Sequence, residues 1–210
     1  MAEPSDAVSL GAVFTLFFVM LGPLKILGPF AKQTHEMEAG AMRKLAFQSF
    51  ALAIVALLVG GFFGRSLADN WHISTPALLL AAGIIFALVG LNLVFEQYER
   101  PQESPAPLPA APIAAVMRIT FPTIVTPYGI AALILLLVHS PDAARTQGLL
   151  GILALVMVLN LLAMLFARWI MRGVGILTLQ VLGAVLGVLQ VALAIDIILR
   201  ALRSIGAVHG

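Results

Sequence analysis

Residues 22–30 read Gly-Pro-Leu-Lys-Ile-Leu-Gly-Pro-Phe, and residues 121–131 read Phe-Pro-Thr-Ile-Val-Thr-Pro-Tyr-Gly-Ile-Ala. Each stretch interrupts a long apolar segment with proline, at matching places in the two halves of the chain. A proline inside a membrane helix removes a backbone donor and frees carbonyls that lipid cannot satisfy. Such a break persists only where protein or a water-filled cavity receives it. Paired interruptions in corresponding positions point to a solute-binding site near the middle of a membrane, shared by both halves. The plain alternative is that the prolines merely kink helices for packing.

The composition around these stretches places the chain in a bilayer. Of its 210 residues, 61% are hydrophobic and 10% are charged, against about 45–50% and about 25% in soluble domains. The net charge of +2 comes from Lys and Arg flanking apolar segments, not from a basic face that could follow a phosphate backbone, so nucleic acid is not an expected partner. The chain has no cysteine, which excludes disulfides, thiolate metal sites and thiol relays. Glu3 and Asp6 stand where a secretory signal would carry Lys or Arg, so the N-terminus reads as mature protein.

Segments 7–31, 43–64, 76–97, 113–138, 146–167 and 176–199 are each near the roughly 20 apolar residues that a spanning helix needs. The expected fold is therefore all-α: a polytopic integral membrane protein of six transmembrane helices, arranged as two inverted three-helix repeats with proline-broken first helices. The stretch from Glu99 to Pro112 holds Pro101, Pro105, Pro107, Pro109 and Pro112 and reads as an extended linker. It divides residues 1–98 from 113–210 within one membrane domain. The halves are weakly alike: Ala51-Leu52 falls on Ala154-Leu155, Phe63-x-Arg65 on Phe166-x-Arg168, and Gly83 and Glu96 on Gly183 and Asp196. Three spans per half invert the second half relative to the first. With the N-terminus outside, cytoplasmic connections hold Lys32, Arg43, Lys44, Arg100, Arg168 and Arg172, against Arg65, Arg145, Arg200 and Arg203 on the other side. The positive-inside rule favours that orientation.

The breaks carry the candidate chemistry. Thr126 is a good N-cap and Pro127 suits the first helical position; Gly22-Pro23 and Gly28-Pro29 offer the same pairing with a weaker cap. A restarting helix exposes backbone N–H groups and about half a positive charge, which suits a carboxylate or phosphate. The substrate expected is thus a small zwitterion or anion. Lys25 lies about 27 Å along the first span from Ala7 at 1.5 Å per residue; it either contacts that ligand or snorkels to the far interface. Thr123, Tyr128 and Gly129 flank the second break, and Asn92 and Gln190 are polar candidates from the third span of each half. Asn160 and Gln190 also suit structural bonds between helices. Gly60-x-x-x-Gly64 and Gly183-x-x-x-Gly187 read as packing signals. Asp196 stands four residues before Arg200, as in an ordinary helical ion pair. The four histidines, at 35, 72, 139 and 209, share no metal-ligand spacing. No catalytic residue, metal or cofactor is expected; the lipid bilayer is, and a homo-oligomer is compatible with the sequence.

The Gly-Pro-x(5)-Pro-Phe ending of the first span and the Pro-Thr-Ile-Val-Thr-Pro-Tyr-Gly-Ile-Ala stretch of the fourth resemble the MarC family of bacterial inner-membrane proteins, over nearly all of the chain. That resemblance implies six spans in two inverted triplets in the inner (plasma) membrane. Some members of the family are described as transporters of small neutral amino acids such as glycine and alanine. It therefore implies a secondary transporter or exporter of such solutes, with one triplet rocking against the other in alternating access. The family's prolines fall on Pro23, Pro29, Pro122 and Pro127, but Gly22 replaces its Asn or Asp, Lys25 replaces a Gly, and Thr126 and Tyr128 replace glycines. Two competing readings are a membrane-embedded enzyme acting on lipid or polyprenyl phosphate, which would need a nucleophile, base or metal cluster, and a non-transporting membrane scaffold.

Overall fold

The computed structural model describes residues 10–95, 112–140, 142–173 and 176–207. Residues 99–111 of the Pro-rich linker, Glu96 and the side chain of Asn92 lie outside the described residues, and Pro112, expected at the linker's end, opens a helix instead. All regular structure among those described is helical: α1 (Leu10–Leu21), α2 (Pro23–Gln33), α3 (Ala39–Asn70), α4 (Thr75–Phe95), α5 (Pro112–Ile119), a π-turn (Thr120–Ile124), α6 (Pro127–Val138), α7 (Ala143–Gly173) and α8 (Ile176–Ser204). Val13–Gln33, Ala39–Asn70, Ala143–Gly173 and Gly183–Ser204 are long and apolar enough to cross a bilayer, while Thr75–Leu91 and Pro127–Val138 are shorter apolar helices. The α6 helix is short because its segment is broken by the π-turn. Large apolar side chains such as Val59, Phe63, Phe166 and Val188 are exposed, as expected of surfaces solvated by lipid.

The helices pair across the linker, not within each half. The broken segment α1–α2 packs along α7, α3 packs along α5–α6, and α4 packs along α8. The order of contacts sets the directions. Leu10 meets the Gly148 position, Asn160 donates to the Leu21 carbonyl and Arg168 to that of Thr34, so α1–α2 and α7 run parallel. Thr120 reaches the Ser49 carbonyl, and Gly60, Gly61 and Gly64 face Ile130, Leu133 and Ile134 of α6; these elements are parallel as well. Gly83 faces Ile198 whereas Gly187 faces Val94, so α4 and α8 are antiparallel. Missing side chains at these glycines let backbones approach. The packing signals at Gly60, Gly64 and Gly187 thus sit at helix crossings.

One core runs through the bundle, from Phe17, Ile26 and Phe30 through Leu57 and Phe86 to Leu133, Met157 and Met164. Arg168 ties it off at one end by donating to the carbonyls of Thr34 and Met37, which caps the end of α2. Sequence reading placed Arg168 in a loop connection, but α7 runs on to Gly173 and turns this side chain inward.

Candidate functional site

Both proline stretches break their helices. At the first, Gly22 takes an extended ψ of 164°, α2 restarts with Pro23 in its first turn, and no side chain caps it. Gly22 is required there: a Cβ would stand 2.7 Å from the Phe18 carbonyl carbon and nearer still to its oxygen. At the second, Phe121 is non-helical and Val125 is extended at ψ 102°. Thr126 then caps α6, its hydroxyl accepting from the Gly129 N–H at 3.2 Å, with Pro127 following. The cap expected from sequence is formed.

Gly28-Pro29 does not restart a helix. The α2 helix runs through Pro29, because one lost donor, to the Lys25 carbonyl, is tolerated inside a packed segment. Gly28 remains on the same stripe as Lys25, one turn on, and a Cβ there would meet nothing within 4 Å.

The two restarts meet. Lys25, in the first turn of α2, donates from Nζ to the Tyr128 hydroxyl in the first turn of α6 at 2.7 Å. The ammonium also lies 4.6 Å from the Tyr128 ring centroid, within cation–π range. Snorkelling is therefore not what this side chain does: it turns inward, to the other broken segment. Gly129 packs against Leu21 so closely that a Cβ would overlap that side chain. Lys25 and Tyr128 are two of the departures from the family pattern quoted above, and they bond to each other.

The third helices close the site from the other side. Phe86 of α4 lies 6.5 Å from Tyr128 between ring centroids, and Gln190 of α8 donates to the Phe86 carbonyl at 3.4 Å. Gln190 is fully buried and its Oε1 has no hydrogen-bond partner. Of the residues singled out in the sequence, Gly22, Pro23, Lys25, Thr126, Pro127, Tyr128 and Gly129 converge at the two breaks, Thr123 lies half-buried in the π-turn, and Gln190 joins through Phe86. Phe86 carried no signal, being one apolar residue among many in α4. Arg118, a half-buried cation in α5, was legible as a charge inside an apolar run but was passed over.

Among the described residues, three carboxylates have partners elsewhere. Asp196 pairs with Arg200 at 2.8 Å, as its spacing predicts, and Asp69 with Arg65 at 3.9 Å. Asp142 accepts from the Arg145 backbone at 2.7 Å. Among the described residues no group of three His, Cys, Asp or Glu could hold a metal. The described residues bring a cation, a phenol and two helix N-termini together at the breaks, and helix N-termini favour negative charge.

These features define a multi-pass α-helical integral membrane protein built around two helix breaks. The chain belongs to the MarC family: the model of MarC family integral membrane proteins matches residues 7–206. It is 25% identical over 195 residues to a UPF0056 membrane protein of Methanocaldococcus jannaschii, covering 90% of this chain and 94% of that one. It is also 25% identical over 105 residues to the UPF0056 inner membrane protein MarC of Salmonella paratyphi A, covering 50% of this chain and 46% of that protein. The protein of the same name in Salmonella typhimurium matches to the same extent. No solved structure matches the chain.

Proposed function

We propose that this protein is a secondary transporter or exporter of small neutral amino acids, in the inner membrane, working by alternating access around the paired breaks. The observation that carries the reading is the part-buried Lys25–Tyr128 bond, which joins the restarting ends of two separate broken segments. A substrate carboxylate between them would meet the Lys25 ammonium, the N–H groups of α2 and α6, and the Tyr128 hydroxyl. Tyr128 is one partner of the Lys25 ammonium at this junction. Six crossings in two inverted triplets are part of the proposal. Parallel packing of each broken segment on the second helix of the other half, with antiparallel third helices, supports it.

Packing also bears on what moves. Because the triplets interlock, neither can swing as a body without parting every helix pair. The α4–α8 pair is the separable unit: its helices pack most extensively on each other, and it touches the remaining bundle mainly through α6 and α2. We take the moving surfaces to be this pair and the bundle of α1–α3 and α5–α7, with Phe86 and Gln190 on one side of the solute and Lys25 and Tyr128 on the other. The cytoplasmic end is the one carrying Lys32, Arg43, Lys44 and Arg172, in line with the positive-inside rule, which puts the N-terminus outside.

The test is counterflow in proteoliposomes loaded with unlabelled glycine, alanine or serine. Accumulation of the labelled solute is expected with the natural chain and not with Lys25→Met. Silence of the natural chain across an amino-acid panel would refute the proposal.

A further inference from the structure

We propose that the first break binds a sodium ion, between the last carbonyls of α1 and the side-chain oxygen of Asn160. The two breaks are closed in different ways. At the second, the Val125 N–H bonds the Thr120 carbonyl at 2.9 Å and Thr126 caps the next helix, so both sides of the break have partners. At the first, Gly22 offers no side-chain cap, and Pro23 has no N–H for the Val19 carbonyl. The final residues of α1 are buried: Val19 is 9% exposed, Met20 3% and Leu21 2%. Carbonyls there cannot turn to water.

Asn160 supplies the second, independent observation. It is 1% exposed, and its Nδ2 donates to the Leu21 carbonyl at 2.5 Å and to its own helix at Val156, 3.1 Å. Its Oδ1 has no hydrogen-bond partner. A buried amide oxygen without a donor is costly unless something positive approaches it. Nδ2 is the atom that faces the Leu21 carbonyl, and the oxygen lies on the same amide, one amide width beyond it. An ion bridging that oxygen and the α1 carbonyls would stand at the negative end of a half-helix, the arrangement in which broken membrane helices hold alkali ions. Divalent cations prefer carboxylates, and none of the described ones is here. Asn160 carries no exchangeable charge, so a proton cannot take the ion's place. The burial of Val19, Met20, Leu21 and Asn160 leaves little room at this helix end, which suits sodium over the larger potassium. Resting on the transporter reading, this ion would be the coupling ion, since it ties α7 to the break that presents Lys25.

Thermal unfolding of the purified full chain in detergent tests the site without any transport, comparing sodium, potassium and choline chloride at equal ionic strength. A ligand specific for the native state raises its melting temperature in a saturable way. Sodium is expected to do so and the other two are not. Asn160→Ala should abolish the shift. Asn160→Asp, which keeps an oxygen and adds charge, should move the sodium midpoint to lower concentration by about tenfold, and it decides the matter should the alanine variant not fold. Equal melting in all three salts, or an unmoved midpoint in Asn160→Asp, overturns the proposal. Sodium-dependent stabilisation in a chain that shows no amino-acid counterflow would sustain the ion site and remove the transporter reading.

Discussion

Replacing Gly22 by alanine should damage the protein, whereas replacing Gly28 should not. A Cβ at Gly22 falls 2.7 Å from the Phe18 carbonyl carbon, and nearer its oxygen. Since carbon contacts relax at about 3.5–4.0 Å and the oxygen is nearer than the carbon, the backbone of α1 or the start of α2 must shift by more than about 1 Å. These are backbone atoms in a buried turn, not the far end of a flexible side chain. Overpacking of that kind costs about 1–3 kcal/mol, offset by the roughly 0.4–1 kcal/mol that alanine contributes through the unfolded chain. A net loss near 1–2 kcal/mol corresponds to a fall in melting temperature of about 2–8 °C for a chain of this length. The shift also displaces Lys25, three residues on, from Tyr128. Gly28→Ala is the control in the same helix. Nothing lies within 4 Å of its Cβ, so it should hold or raise stability by about 0.5–1 kcal/mol. Thermal unfolding in detergent and counterflow in liposomes read both variants. Melting and transport of Gly22→Ala equal to the natural chain would refute the close approach on which the first break depends.

Other expectations follow from single contacts. Thr126→Ala should cost about 1 kcal/mol by loss of the α6 cap, with Thr126→Ser restoring it; equal melting of the alanine variant would dismiss the cap. Arg168→Ala should lose about 2–3 kcal/mol, because a charged donor leaves two carbonyls at the α2–α3 turn. Arg168→Lys recovers only part of this, since an ammonium lacks the planar fork; full recovery would count against the bridging role. Asp196→Asn should change melting by less than about 1 kcal/mol, the Arg200 pair being exposed. Tyr128→Phe should weaken apparent substrate affinity by about tenfold or less, the worth of one neutral hydrogen bond, while Lys25→Met loses transport, since the lysine supplies the charge; the reverse order in a counterflow assay would overturn those roles.

The helices and their breaks were legible because lipid imposes so strict a rule on backbone groups. A run of apolar residues must be helical, and a Gly-Pro or Thr-Pro within it must be received by protein. Thr126 followed by Pro127 specified its own cap, and the spacing of Asp196 and Arg200 specified their pair. Gly28-Pro29 misled, because a proline inside a packed membrane helix costs one bond without ending the helix. Pairing across the linker was hidden: near-uniform apolar faces carry no pattern that says which helix meets which. The same silence concealed Phe86, and it kept Asn160 among the structural candidates, since an amide's unpartnered oxygen is visible only once its surroundings are. Lys25 was suspected from its position, but its partner was not, because Tyr128 lies in the other half of the chain.

The chain's lack of cysteine gives a clean background for paired spin labels, and the most direct trial of the account is a distance measurement across the proposed moving surfaces. One pair joins Ala77 of α4 to His139 after α6, at one end of the bundle; the other joins Phe95 of α4 to Ile113 of α5, at the opposite end, and all four positions are exposed. Motion of the α4–α8 pair about the breaks predicts that alanine, added with sodium, lengthens one distance and shortens the other. Two distances that stay fixed, or that change in the same sense, would contradict it.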